Sequence, residues 1–537
     1  MCPDATALEG ATPVELSGLD YVVFLSYMVL VLAVGFWVAR RERTSQQYFL
    51  AGRRLPWFAI GASLIASSIS TEQFIGEVGF AYRYGLAVAN WEWGVFPAMT
   101  VMILFFVPFY MRRQISTMPE WLEHRFGASS RFTFAVITLL SYVFINLAGV
   151  LYAGGLALHT IFEIDLWHAV IILAVVAGAY TVAGGLASVV WTDVVQATLL
   201  LGAGLLVFLL GLDEVGGWEA MRGVGDRAHL MLPAGHPELP WTGILVGMVS
   251  TNLWYYATNQ YINQRVLGAR SEWHARAGII FAGFLGIFLT LAVCFPGLIA
   301  YRLFPDLANP DQAYPQVVSH LIGPLGYGLR GLVFAGLIGA IMSTIDSLVN
   351  SCSTILTIDF YQRLWRPAAS DRQMLAVGRL TAVAVMAIGV LWSPVVGRWD
   401  TLFGYFQECW FFMAVPIVVV FVSALLWPRS NNFSATATLL LCVPMTLLPA
   451  VLKMLHWDIN SFNLAGILLV PVIVFHVATA YCRAAPRAEI VARWTWRPHL
   501  VFLPAEEKTS PRAWYKSLLL WWAVVAAIYV TLYCTFW

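Results

Sequence analysis

The chain has 537 residues, 60% of them hydrophobic, 14% aromatic and only 11% charged. Soluble domains carry about 25% charged residues, so a soluble multidomain enzyme is excluded. Thirty-one Lys and Arg against thirty Asp and Glu leave a net charge of +1 with no polybasic run, which argues against nucleic acid as a partner. The seven cysteines are scattered, with neither CxxC nor a His cluster, so disulfide, zinc and haem frameworks are not expected. The remaining class is an all-α polytopic membrane protein.

A crossing helix needs about 20 apolar residues. In chain order the sequence offers fourteen such stretches: 19–39, 56–80, 88–111, 132–155, 165–184, 189–212, 242–263, 277–301, 327–358, 374–393, 402–427, 433–452, 462–482 and 517–537. The first is preceded by acidic residues and followed by Arg40 and Arg41, which reads as a retained helix rather than a signal peptide. With both termini outside, the inner loops hold 23 Lys and Arg and the outer loops 7, the asymmetry expected of correctly counted spans. The longest loops, 213–241 outside and 483–516 inside, are too short for a domain of about 50 residues. The expected location is the cell membrane, with both ends extracellular.

Polar residues inside the spans mark the working parts, because polar groups in lipid need partners. The second span carries Ser67, Ser68, Ser70, Thr71, Glu72, Gln73 and Glu77 within Ala66–Gly79. Hydroxyls that compete for backbone hydrogen bonds predict a helix break here, and freed carbonyls suit a hard monovalent cation. Close packing of small residues is the plainer alternative, but it leaves Glu72, Gln73 and Glu77 unexplained. Glu92 lies between Trp91 and Trp93 in the third span. The seventh span interleaves amides and rings from Asn252 through Tyr255 to Tyr261, a pattern that suits a hydroxylated ligand or an interfacial aromatic belt. In the ninth, Ser343 and Ser347 share one helical face beside Thr344 and Asp346. Hydroxyls and a carboxylate without Cys or His favour Na⁺ over a transition metal, although Asp346 could equally be a capped or solvated acid. Gln407 and Glu408 add polar groups to the eleventh span.

Several stretches together resemble the sodium/solute symporter family, in particular its sodium/galactose and sodium/glucose members. They are ASSISTEQFIGEVG (66–79), Trp91-Glu92-Trp93, YTVAGGLASVVWTDVVQ (180–196), NQYINQR (259–265), Phe334–Tyr361 and the closing Thr535-Phe536-Trp537. The resemblance implies a leucine-transporter-type core of two inverted five-helix repeats, 56–212 and 242–427. Around it would lie the segment 1–55, the outer loop 213–241 and peripheral helices in 428–537. Polar interruptions in the first helix of each half, spans two and seven, fit a midplane binding site. By resemblance, Na⁺ would be held by the carbonyls of Ala66, Ile69 and Ala340 and the hydroxyls of Ser343 and Thr344. Asp193 would mark an ion exit or second Na⁺ site, or cap a helix at Thr192-Asp193, and Asp346 would lie on the same path. Gln73, Glu92, Asn252, Tyr255, Gln407 and Phe403 match sugar-pocket positions. Ser68 and Glu77 are also expected to contact the solute, and with Gly286 they depart from the family pattern, where an Asn, a Met and a Lys are usual.

The expected activity is Na⁺-coupled symport of a small hydrophilic solute, a monosaccharide first, by alternating access. The alternative is a Na⁺- or H⁺-coupled symporter for a polyol, sialic acid or an amino-bearing solute. No catalytic motif appears in the spans, so enzyme activity is not expected. No cofactor beyond the coupling ion is expected, and the partners are the solute, Na⁺ and the lipid bilayer.

Overall fold

The computed structural model describes residues 16–70, 72–162, 164–398, 402–457, 459–507 and 513–537; at 160, 161, 402–405, 407, 408, 450 and 453 it describes the backbone alone. Helix dominates throughout, and eleven apolar stretches among the described residues are long enough to cross a membrane. Twelve of the fourteen expected spans fall on them. One stretch, Leu166–Glu214, holds two of them, and spans two and seven are broken into shorter pieces that fall below the length of a continuous crossing helix.

The first crossing helix, α1 (Gly18–Ala39), opens on a capping box in which Ser17 and Asp20 satisfy each other's backbone N–H groups. The next, α2 (Trp57–Ser68), starts after Pro56 and stops inside the predicted second span. Ile69 there is extended, at φ −114° and ψ 132°. Beyond the break, Ser70 and Gln73 cap the restart of the chain. The Ser70 N–H donates to Gln73 Oε1 at 2.7 Å and the Glu72 N–H to Ser70 Oγ at 3.2 Å. A wide π-type turn, Glu72–Glu77, then leads into Val78–Tyr84.

Helix α3 (Leu166–Glu214) has 49 residues, about 74 Å at 1.5 Å per residue and more than two bilayer cores. Its two passes meet at Gly185, where φ is 57° and a Cβ would fall 2.3 Å from the Tyr48 carbonyl. Only glycine meets both demands. Asp193 lies inside the second pass, so it caps no helix start. The predicted seventh span breaks like the second: Asn259 is extended at φ −74° and ψ 128°, and α4 (Gln260–Leu267) resumes beyond it. Asn263 Nδ2 donates to the carbonyls of Tyr256 and Asn259, both at 2.9 Å, which satisfies the interrupted ladder.

At the centre stands α6 (Leu329–Ile355), which follows α5 (Glu272–Val293) and is buried almost along its whole length from Gly331 to Ile355. It packs chiefly on α3, and also on α1 and α2. Because protein surrounds it on every side, its polar residues point in several directions and each direction has its own partners.

Candidate functional site

The break after Ser68 and the middle of α6 meet face to face. Thr344 Oγ1 lies 2.9 Å from the Ile69 carbonyl, 3.3 Å from the Ala340 carbonyl and 3.5 Å from the Ser67 carbonyl. Helix α2 ends there, so the Ile69 carbonyl has lost its α-helical acceptor role. One hydroxyl and several carbonyls of low cost to reorient converge without a Cys or His, the donor chemistry of a hard monovalent cation. The Ala66 carbonyl, also expected there, accepts from the Ile69 N–H at 3.4 Å.

Ser343 faces away from that point. Its hydroxyl donates to Asp193 Oδ1 at 2.5 Å, within a fully buried cluster of Ser63, Ser67, Asp193, Arg265, Ser343 and Ser347. Arg265 Nη2 lies 3.4 Å from Asp193 Oδ2, and its Nε bonds Ser63 Oγ at 2.5 Å. A buried carboxylate is costly unless paired, and Arg265 supplies the pair. The sequence reading missed Arg265, Ser63, Ser67 and Ser347 as members of this cluster. The short spacing of Ser63 to Ser67, one helical turn apart and both polar, was the available signal. Asp346 points elsewhere again: Thr181 Oγ1 donates to it at 2.7 Å, and the Tyr180 hydroxyl binds its other oxygen. It shares no hydrogen bond with Asp193, so the two acids do not form one ligand set.

Beside the break lies a cavity lined by residues from both broken helices. Of the expected solute contacts, Ser68, Gln73, Glu92, Asn252 and Tyr255 line it. Ser67 and Thr344 also touch it, so the cavity and the candidate ion site share a wall. Glu77 is buried and is not among the residues that line the cavity. The π-type turn resets the helical phase between Gln73 and Glu77, so their spacing in sequence does not place both on one face. The side chains of Phe403 and Gln407 lie outside the described residues. Gln73 turns its oxygen to the Ser70 cap and thereby helps shape the break itself. Asn252 Nδ2 donates to the Gly94 carbonyl at 3.0 Å. The Tyr255 ring packs on Tyr256 and Tyr261, with centroids 5.2 and 5.7 Å away. Trp410, whose Nε1–H donates to Asn146 Oδ1 at 2.8 Å, and Phe406 complete the wall from the helix that also carries Phe403 and Gln407.

Two broken membrane helices that enclose a midplane cavity and converge on a cluster of oxygens define a secondary transporter. Known proteins make the class specific. A family model for the sodium:solute symporter family matches residues 48–441. The Vibrio parahaemolyticus sodium/glucose cotransporter is 37% identical over 467 residues, 80% of this chain and 85% of the relative. The Sus scrofa sodium/myo-inositol cotransporter 2 is 33% identical over 537 residues, 89% of this chain and 78% of the relative. The protein belongs to the sodium:solute symporter family. It is a multi-pass membrane protein that couples Na⁺ to a small solute. Two solved structures share its fold. A substrate-bound, outward-open Na⁺-coupled sialic acid symporter superposes with a TM-score of 0.77 at 22% identity, covering 88% of this chain and all 100% of that one. A closed transporter of the nucleobase-cation-symport-1 family gives 0.56 at 15% identity, covering 84% and 98%. The fold is the leucine-transporter type expected from the sequence.

Proposed function

We propose that the coupling ion sits where Thr344 meets the broken end of α2, held by the carbonyls of Ala66, Ile69 and Ala340 and the hydroxyls of Thr344 and Ser343. The observation that carries this reading is the 2.9 Å contact between Thr344 Oγ1 and the Ile69 carbonyl across the break. Na⁺ replacing that hydrogen bond would draw in both partners, and Ser343 would rotate away from Asp193. The solute is a small polyhydroxylated molecule of monosaccharide or cyclitol type. Support comes from the amides of Gln73 and Asn252, the Glu92 carboxylate and the ring of Tyr255 around one cavity, and from relatives named for glucose and myo-inositol.

Because Thr344 belongs to both the ion site and the cavity wall, ion binding shapes the solute site, and the two affinities are reciprocally coupled. The halves 56–212 and 242–427 would rock about the two breaks, with both chain ends extracellular. One charge moving through about 100 mV contributes roughly 2.3 kcal/mol. A tenfold Na⁺ gradient adds about 1.4 kcal/mol, enough together for accumulation of several hundredfold. The test is a panel of sugars, cyclitols and amino acids screened for Na⁺-dependent thermal stabilisation of the purified protein. Stabilisation by a sugar or cyclitol that needs Na⁺ is expected. Stabilisation by amino acids alone would refute the solute assignment.

A further inference from the structure

The cavity wall carries acidic side chains that no basic side chain on the wall balances. Glu72 and Glu92 both line it, each is 7% exposed, and neither forms a hydrogen bond or ion pair through its carboxylate with a described residue. No Lys, Arg or His is among the lining residues. A third buried acid, Glu77, lies within electrostatic range of both, and its Oε1 has no hydrogen-bond partner among the described residues. Arg265 is engaged by Asp193 and by the serines around it. Unpaired carboxylates deep in a membrane protein are costly and mark a bound cation or a functional partner. One Na⁺ beside Thr344 offsets one of the two charges on the wall. The other faces a space walled by Trp91, Tyr255 and Trp410, whose ring faces attract an organic ammonium group.

We propose that the solute carries a protonated amine on a polyhydroxylated frame, an amino sugar or amino cyclitol, with its ammonium group between Glu72 and Glu92. This narrows the polyhydroxylated-solute reading above and rests on it. The hydroxyls would meet Gln73 and Asn252, and the ammonium would meet carboxylates in a site without a competing base.

The experiment measures Na⁺-dependent binding of matched pairs to the full-length protein: glucose against glucosamine, sorbitol against glucamine, and myo-inositol against an aminodeoxy-inositol. The amine of at least one pair is expected to bind about tenfold or more tightly than its neutral partner. In a Glu72→Gln/Glu92→Gln variant that still responds to Na⁺ alone, the preference should fall to about twofold or less. Neutral members that bind as well as the amines would overturn the inference and leave the polyhydroxylated-solute reading standing. No binding by any member, with the Na⁺ response intact, would overturn both. An amine preference that survives in the double variant would overturn the assignment to these carboxylates. If the variant does not fold, the wild-type pairs alone decide.

Discussion

Replacing Thr344 by Ala removes the side-chain oxygen of α6 that meets the Ile69 carbonyl at the break after α2. In the structure that oxygen lies 2.9 Å from the Ile69 carbonyl and 3.3 Å from the Ala340 carbonyl. A hydrogen-bonding group facing a charge contributes about 1.5–3 kcal/mol, so the loss of this ligand should weaken Na⁺ binding about 10- to 150-fold. Solute affinity measured at saturating Na⁺ should change far less, because a filled ion site restores the coupled solute site. Thr344→Ser keeps the oxygen and should restore most of the Na⁺ affinity, which separates a ligand from a mere packing role. The assay is Na⁺ titration of intrinsic fluorescence or thermal stability in detergent, with choline replacing Na⁺ at constant ionic strength. A Na⁺ half-saturation point within about twofold of wild type in folded Thr344→Ala protein would refute the ion site.

Gln73→Ala and Tyr255→Ala should do the reverse, raising the solute half-saturation point in uptake assays while leaving Na⁺ titrations near wild type. Gln73→Ala should also lower thermal stability by about 1 kcal/mol, since it removes a cap from the restart of the helix. Arg265→Met strands Asp193 as an uncompensated buried charge and should destabilise by about 3–5 kcal/mol; adding Asp193→Asn should recover part of that loss in thermal denaturation. Glu123, on the short helix Met118–Arg125, bonds both Arg363 at 2.7 Å and Arg131. Burial alone would raise its carboxyl, but hydrogen bonds from Arg363 and Arg131 outweigh that and hold it below the usual 4.5. A depressed carboxyl stabilises the fold above its unfolded-state pKa, and that contribution is lost as pH falls through the depressed value. Glu123→Gln should therefore cost about 1 kcal/mol near neutral pH, a cost that shrinks as pH falls below the unfolded-state value and through the depressed one, read as the shift in denaturation temperature at each pH.

The breaks at Ile69 and Asn259 were legible because their cause is local: clustered Ser, Thr and Asn side chains offer the backbone hydrogen bonds that compete with a helix. Span number was legible for the same reason, since hydropathy acts residue by residue. Partners across the fold were not. Arg265 reaches Ser63 and Ser67, about 200 residues away in sequence, and nothing in either stretch specifies that contact. The cap alternative for Asp193 rested on a sixth span starting at 189, whereas the second pass starts at Gly185, about two turns ahead of Asp193. The π-type turn at Glu72–Glu77 changes the angle between successive side chains, so a face projected at 3.6 residues per turn does not carry from Gln73 to Glu77. Trp410 and Phe406 read as ordinary apolar span residues, and their place in the cavity wall depends on how the helices assemble.

The central claim is that Na⁺ drives the solute across. Purified protein in sealed vesicles, given labelled solute and an inward Na⁺ gradient with inside-negative potential, tests it most directly. Accumulation above the outside concentration that collapses when choline or K⁺ replaces Na⁺ is the predicted result. Accumulation undiminished by that replacement would contradict the account.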